Sequence, residues 1–130
     1  MLLNLTNHPH SQWSKDQLQE SYNRWGTIYD LSFPHVDPQW DEELVEEMAD
    51  RVAANAASLA PEAILCQGEM TLTLALVNRF CRIRIPVYAA CSQRRVNERI
   101  CEGGMIRKTT EFCFVRFREY RVQTAKNNSV

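Results

Sequence analysis

No apolar run in the sequence approaches the roughly 20 residues that cross a bilayer as a helix, so no membrane partner is expected. The opening MLLNLTNHPH has neither a basic n-region nor a small-residue cleavage site, and no signal peptide is read from it. No C-x-x-C pair occurs among the 5 cysteines, Cys66, Cys81, Cys91, Cys101 and Cys113. An odd set without such a pair fits reduced thiols in a cytoplasmic protein better than a disulfide frame or a zinc site. Neither a metal nor a cofactor is therefore expected. G-x-G-x-x-G, P-loop and G-x-S-x-G motifs are all missing, which leaves dinucleotide, nucleotide-triphosphate and hydrolase-elbow readings without a motif. Repeats, low-complexity segments and linkers are missing too.

What is present is enough for one ordinary domain. A chain of 130 residues that is 45% hydrophobic can bury a core of its own. Its net charge of -1 hides an asymmetry. Residues 1–78 carry 12 acids and 3 Lys+Arg, a balance of -9, and residues 79–130 carry 4 acids and 12 Lys+Arg, a balance of +8. The basic half suits an anionic ligand, and the two halves also suit neutralising each other within the fold or across a dimer.

Along the chain, strand and helix signals alternate. LLNLT (2–6) reads as a short strand ending in Thr6-Asn7-His8-Pro9. Ser14 and Gln17 have capping-box spacing, Leu18, Tyr22 and Trp25 follow at helical spacing, and Gly26 fits the stop. TIYDLSF (27–33) is the next strand and PHVDP a loop. A second helix starts near Trp40 or Asp41, with Asp41, Glu42 and Glu43 favoured by its dipole and Leu44, Met48 and Val52 as its inner stripe. Pro61 closes it. AILCQ (63–67) is a third strand. Residues 70–82 are apolar on nearly every side (Leu72, Leu74, Leu76, Val77, Phe80), as in a buried helix. PVYAAC (86–91) is a fourth strand ending in Ser92-Gln93-Arg94-Arg95. Gly103-Gly104 suits a hairpin turn, and residues 107–118 suit a long closing strand. One domain over residues 1–124 is expected, followed by a flexible tail at 125–130.

This alternation implies an α/β, Rossmann-like fold, a mostly parallel sheet flanked by helices with a C-terminal β-hairpin. Ligands in such sheets bind outside the carboxyl ends of the strands. Those ends here are Thr6-Asn7-His8, the 34–37 loop, Gln67-Gly68-Glu69 and Ser92-Gln93-Arg94-Arg95. Gly68 would let a ligand approach the backbone, while equally serving a tight turn. The helix after it, which includes Thr71, would offer N–H groups to a phosphate. Glu69 suits a sugar hydroxyl or a proton transfer, and equally suits capping that helix. Arg94 and Arg95 suit phosphate oxygens, and His8 and His10 suit general acid–base work. On this reading Gly68→Leu blocks the ligand and leaves the fold intact.

The pieces NLTNH, CQGEMTLTLALVNRF, IPVYAACSQRR and FCFVRFREY, in that order, cover most of the chain. The set resembles the small CRISPR-associated proteins of type III systems that act on cyclic oligoadenylates, in particular a short ring-nuclease family. Asn7 stands where that family more usually has serine, and Ser92-Gln93-Arg94 where threonine-lysine-arginine would match more closely. The resemblance implies a homodimer that binds cyclic tetra-adenylate across its two-fold axis. A metal-independent attack of a ribose 2′-OH on the adjacent phosphate then leaves a 2′,3′-cyclic phosphate. No DNA partner is expected. Carried over residue by residue, the catalytic candidates are His8, Glu69 and Arg94, and Gln67, Gly68 and Ser92 are ligand-binding candidates. Thr6, Asn7, Thr71, Gln93 and Arg95 join the ligand-binding candidates on position at the strand ends. Two other readings stand beside this one. The first is a non-catalytic sponge or sensor for the same messenger. The second is a nucleotide-processing enzyme of the deoxyribosyltransferase type with Glu69 as nucleophile.

Overall fold

The computed structural model describes residues 1–123, and the tail expected at 125–130 lies outside the described residues. The elements run β1 (Leu2–Leu5), a 3-10 turn (His10–Gln12), α1 (Lys15–Trp25), β2 (Ile28–Asp30), α2 (Glu42–Ser58), β3 (Ala63–Cys66), α3 (Met70–Arg82), β4 (Val87–Ile100) and β5 (Ile106–Glu119). The five strands form one sheet in the order β2-β1-β3-β4-β5. Neighbours are parallel from β2 through β4, and β5 returns antiparallel to β4. This is the α/β, mostly parallel sheet with a C-terminal hairpin that strand–helix alternation requires.

Alternation along the strands divides the core. Leu3, Leu5, Ile64 and Cys66 face α2 and α3 together with Leu72, Leu76 and Phe80. Leu2, Ala63 and Leu65 face the α1 side with Phe117, Trp13 and Trp25. Leu2, Leu3 and Leu5 are all fully buried, and taking each from water is worth about 1.5–3 kcal/mol before ordering costs. The chain runs outward from β1 to β2, then recrosses β1 to place β3 on its other side. Strand order therefore reverses between β1 and β3, and their carboxyl ends diverge to leave a crevice.

The expected caps form. The Ser14 hydroxyl accepts from Gln17 N at 3.3 Å, Asp41 accepts from Leu44 N at 3.1 Å, and Gly26 ends α1 at φ 80°. Several expected faces are corrected. In α1 the buried residue is Ser21, and Tyr22 is exposed, because a small side chain lets the helix lie closer to the sheet. In α2 the fully buried seam is Val45, Ala49, Ala53 and Ala56; Met48 and Val52 of the expected stripe pack against the core partly buried, and Leu44 is exposed. Alanines at that spacing let α2 approach α3 closely, and Arg79 of α3 fastens the pair through Glu46 and Asp50. The helix at 70–82 is not buried all round, since Met70 and Leu74 point outward. The β2 ladder stops at Asp30, although Leu31 N and Phe33 N still bond to Asn4 O and Thr6 O beside β1.

The largest correction concerns β4. It does not end at Cys91, because β5 pairs with it continuously out to Ile100 and Ile106. Ser92-Gln93-Arg94-Arg95 is thus part of a projecting two-stranded ribbon, not a strand-exit loop. A bulge at Cys91/Ser92 leaves Val115 as the extra residue, so Phe114 and Phe117 share a face though three apart. Phe117 is buried against Trp25. Gly103 and Gly104, with φ of 86° and 77°, make the turn at the ribbon tip as expected.

Candidate functional site

The crevice between β1 and β3 opens into a cleft of about 540 Å³ on the α1 side of the sheet. Its floor follows from strand register. Thr6 and Gln67 lie on the same face as Leu2 and Leu65, and Ser92 and Phe114 sit opposite each other on the ribbon. Asn7 and His8 leave β1 along one wall, Gln12, Trp13 and Gln17 supply the other, and Phe112 stands at the mouth.

One wall is built on a buried polar network. Asn4, at 1% exposure in the middle of β1, is the least exposed polar residue of the sheet. Its Nδ2 donates to Asp30 Oδ1 at 2.8 Å and to His8 O at 2.8 Å, and its Oδ1 accepts the Thr6 hydroxyl at 2.8 Å. The Thr6 oxygen in turn accepts from His8 N at 3.2 Å. Trp13 Nε1 donates to His8 O at 3.1 Å. The backbone of His8 is therefore fixed at both its N–H and its carbonyl, while its imidazole stays exposed in the cleft. Asp30 completes the network by accepting from His10 N at 3.1 Å and meeting His10 Nδ1 at 2.8 Å. Burial pushes the Asp30 carboxyl up, but the hydrogen bonds from Asn4 and His10 and the nearby imidazole outweigh it and hold the group below its ordinary value.

Six of the expected site residues come together here: Thr6, Asn7, His8, Gln67, Gly68 and Ser92. Their local roles differ from expectation in two cases. Gln67 spends its amide on the sheet, with Oε1 accepting from Ala90 N at 2.9 Å and Nε2 near Ala90 O at 3.4 Å. Gly68 is required by packing, because a Cβ there would lie 2.4 Å from the Phe33 ring. Glu69, Thr71, Gln93, Arg94 and Arg95 stand outside the cleft lining. Arg94 pairs with Phe112 and so shares the cleft-side face of the ribbon, one step farther out, whereas Gln93 and Arg95 point to the opposite face.

Glu69 and Thr71 form the start of α3. Glu69 Oε1 accepts from Thr71 N at 2.9 Å, and Oε2 accepts from Leu72 N at 2.9 Å and from the Thr71 hydroxyl at 2.6 Å. These bonds, the Thr71 hydroxyl first, hold the carboxyl below its ordinary value. They also use two of the N–H groups that a phosphate would need, those of Thr71 and Leu72. Glu69→Ala should cost about 0.5–2 kcal/mol, the usual range for a lost N-cap, read as a shift in the urea midpoint. Because the folded value is lowered, this contribution is present above the ordinary carboxylate range and fades as pH falls through the lowered value. An unchanged midpoint at pH 7 would show that the cap contributes nothing.

Sequence reasoning did not find Asn4, Asp30, Trp13 or Gln17 as site residues. Asn4 within LLNLT was the one available signal, a polar residue in an otherwise apolar strand.

Fold and site together define a small α/β protein with a cleft at the switch point of its sheet. The chain belongs to a family described as the Uncharacterized protein MJ1673 family, whose sequence model matches residues 1–118. No curated protein and no solved structure matches it. Among the described residues no helix is long and apolar enough to cross a membrane.

Proposed function

We propose that the protein is a ring nuclease that binds cyclic tetra-adenylate and opens it without a metal, switching off type III CRISPR signalling. The observation that carries this reading is convergence. Residues of three separate strands and their ends, expected by resemblance (His8, Gln67, Gly68 and Ser92) or by position (Thr6 and Asn7), line one cleft at the switch point. In the proposed reaction a ribose 2′-OH attacks the adjacent phosphorus in line. The new O2′–P bond forms as the P–O5′ bond breaks, giving a 2′,3′-cyclic phosphate and a 5′-hydroxyl. His8 moves a proton in this step. Its backbone is fixed at two points, which sets where its imidazole enters the cleft. Arg94, on the cleft-side face of the ribbon, meets phosphate charge. Glu69 acts at a distance by holding the first turn of α3. The deoxyribosyltransferase reading needs Glu69 free as a nucleophile, and both of its oxygens are engaged.

Incubation with cyclic tetra-adenylate and a chelator, followed by chromatography, should yield linear products ending in 2′,3′-cyclic phosphate. His8→Ala should lower turnover roughly 100-fold or more while the ring still binds. Tight binding with no product from the wild type would replace the nuclease with the sponge or sensor.

A homodimer is part of the same proposal. Beyond the bulge the ribbon is exposed on both faces, and Val96, Ile100 and Ile106 project from one of them. A two-stranded ribbon with an apolar face is marginal in water, and a second copy would cover it. Light scattering at micromolar concentration should give twice the chain mass. Ile100→Glu with Ile106→Glu should give a monomer with an unchanged circular dichroism spectrum. A wild type that scatters as a monomer with and without ligand would remove the dimer.

A further inference from the structure

The cleft is lined by no Lys, Arg, Asp or Glu among the described residues. That is unexpected for the seat of a phosphate, which wants a cation or free N–H groups. Two N–H groups at the start of α3, those of Thr71 and Leu72, are taken by Glu69, and the nearest lysine or arginine on the cleft-side face of the ribbon is Arg94, outside the lining. What the cleft offers instead is flat apolar surface and amides. Trp13 is held in place through Nε1, Phe114 is braced against Phe117 at 4.9 Å, and Phe112 is 74% exposed at the mouth. Gln12 and Gln17 face the same space. The Gln17 amide does not close a capping box, and among the described residues neither glutamine amide has a hydrogen-bond partner. An uncharged, aromatic, amide-lined hollow of this size is suited to a nucleobase.

We propose that this cleft seats an adenine base, stacked on Trp13 against the phenylalanine wall and read by the Gln12 and Gln17 amides, with its phosphate lying outward toward Arg94. A glutamine amide presents one donor and one acceptor, the complement of adenine N6–H and N7. Guanine presents two acceptors there and is matched by Arg or Lys, and no such side chain lines the cleft. The inference rests on the nucleotide reading of the site but not on ring opening. It places the base where phosphate was expected and the phosphate on the ribbon.

The test is titration of the full chain with AMP, GMP and CMP, read by calorimetry and by quenching of tryptophan fluorescence. AMP should bind at least about 10-fold more tightly than GMP or CMP. Trp13→Ala should weaken AMP about 10-fold or more, the range for one stacked base, and Trp13→Phe should restore most of the loss. Trp13 also bonds to His8 O, so Trp13→Ala can loosen the wall. Phe112→Ala is the second variant, because that ring is exposed and its removal leaves the fold alone. It should weaken AMP at least 3-fold. Equal binding of GMP and AMP, no binding of either at millimolar concentration, or AMP affinity unchanged in both alanine variants would each overturn the base seat. Trp13-dependent AMP binding with no opening of cyclic tetra-adenylate would keep the seat and end the nuclease reading. Ring opening with KM unchanged in both variants would do the reverse.

Discussion

Gly68→Leu should leave little folded protein, and Gly68→Ala should already cost about 1–3 kcal/mol, the range for overpacking a closed core. The reason is space rather than backbone conformation. A Cβ at position 68 would sit 2.4 Å from Phe33 Cδ1 and Cε1 and 2.5 Å from Cγ, inside any real carbon contact. Phe33 is 5% exposed and belongs to the cluster of β1, β3, α2 and α3, so its ring cannot swing aside without giving up its burial. This replaces the expectation that Gly68→Leu would block a ligand and leave the fold intact. Urea unfolding of Gly68→Ala, Phe33→Ala and the double variant separates the cases. Phe33→Ala alone should cost about 3–5 kcal/mol. In that background Gly68→Ala should be nearly free, because the clash partner is gone. A wild-type urea midpoint for Gly68→Leu would sink the argument.

That correction marks where sequence reading reached its limit. The strands were legible because LLNL and AILC are apolar on both faces, as a covered parallel sheet demands. Helix starts were legible because Ser14 and Asp41 are local signals whose partners lie three residues away. The continuation of β4 past Cys91 was not legible, because pairing with β5 is decided by residues up to 22 positions distant, as in Ser92 with Phe114. The rotation of α2 was hidden for a related reason. Leu44, Met48 and Val52 look like a core stripe until the alanines at 49, 53 and 56 are given a helix to approach. At the site the strand exits were found by position, which topology fixes, whereas side-chain roles depend on distant partners. Glu69 had a cap and a catalytic reading of equal standing in the sequence, and the N–H groups of Thr71 and Leu72 decide its geometry. The charge asymmetry was legible as composition. Its placement on the ribbon, with Arg94 on the cleft-side face and Arg95 on the other, required the register.

Asn4→Asp should destabilise the protein by about 3–5 kcal/mol at neutral pH, the cost of an uncompensated buried charge, although the two side chains have nearly the same shape. Asn4 Nδ2 supplies both hydrogen atoms that hold Asp30 Oδ1 and His8 O, each at 2.8 Å. A carboxylate supplies neither. It would also put a second negative charge within 3 Å of Asp30, at a site only 1% exposed. Two carboxyls so close cannot both ionise, and the new one is forced to keep its proton well above the ordinary range. The sign of the pH dependence then separates the variant from the wild type. In the wild type the Asp30 value is lowered, so its contribution is present above the ordinary carboxylate range and lost as pH falls through the lowered value. In Asn4→Asp the folded value at position 4 is raised, so the penalty is full above that raised value and shrinks as pH falls toward the unfolded one. The two stability curves should therefore converge on acidification from pH 7 to about pH 5, whereas loss of a purely steric fit would keep them parallel. Asn4→Ala, which removes the network without adding charge, should cost about 1–3 kcal/mol with no convergence. His8 loses a donor to its carbonyl in both variants, so any ring opening, on the proposed reading, should fall further than stability alone explains. Parallel curves for Asn4→Asp and the wild type from pH 7 to pH 5 would show that Asn4 is a packing residue and that the wall of the cleft is held some other way.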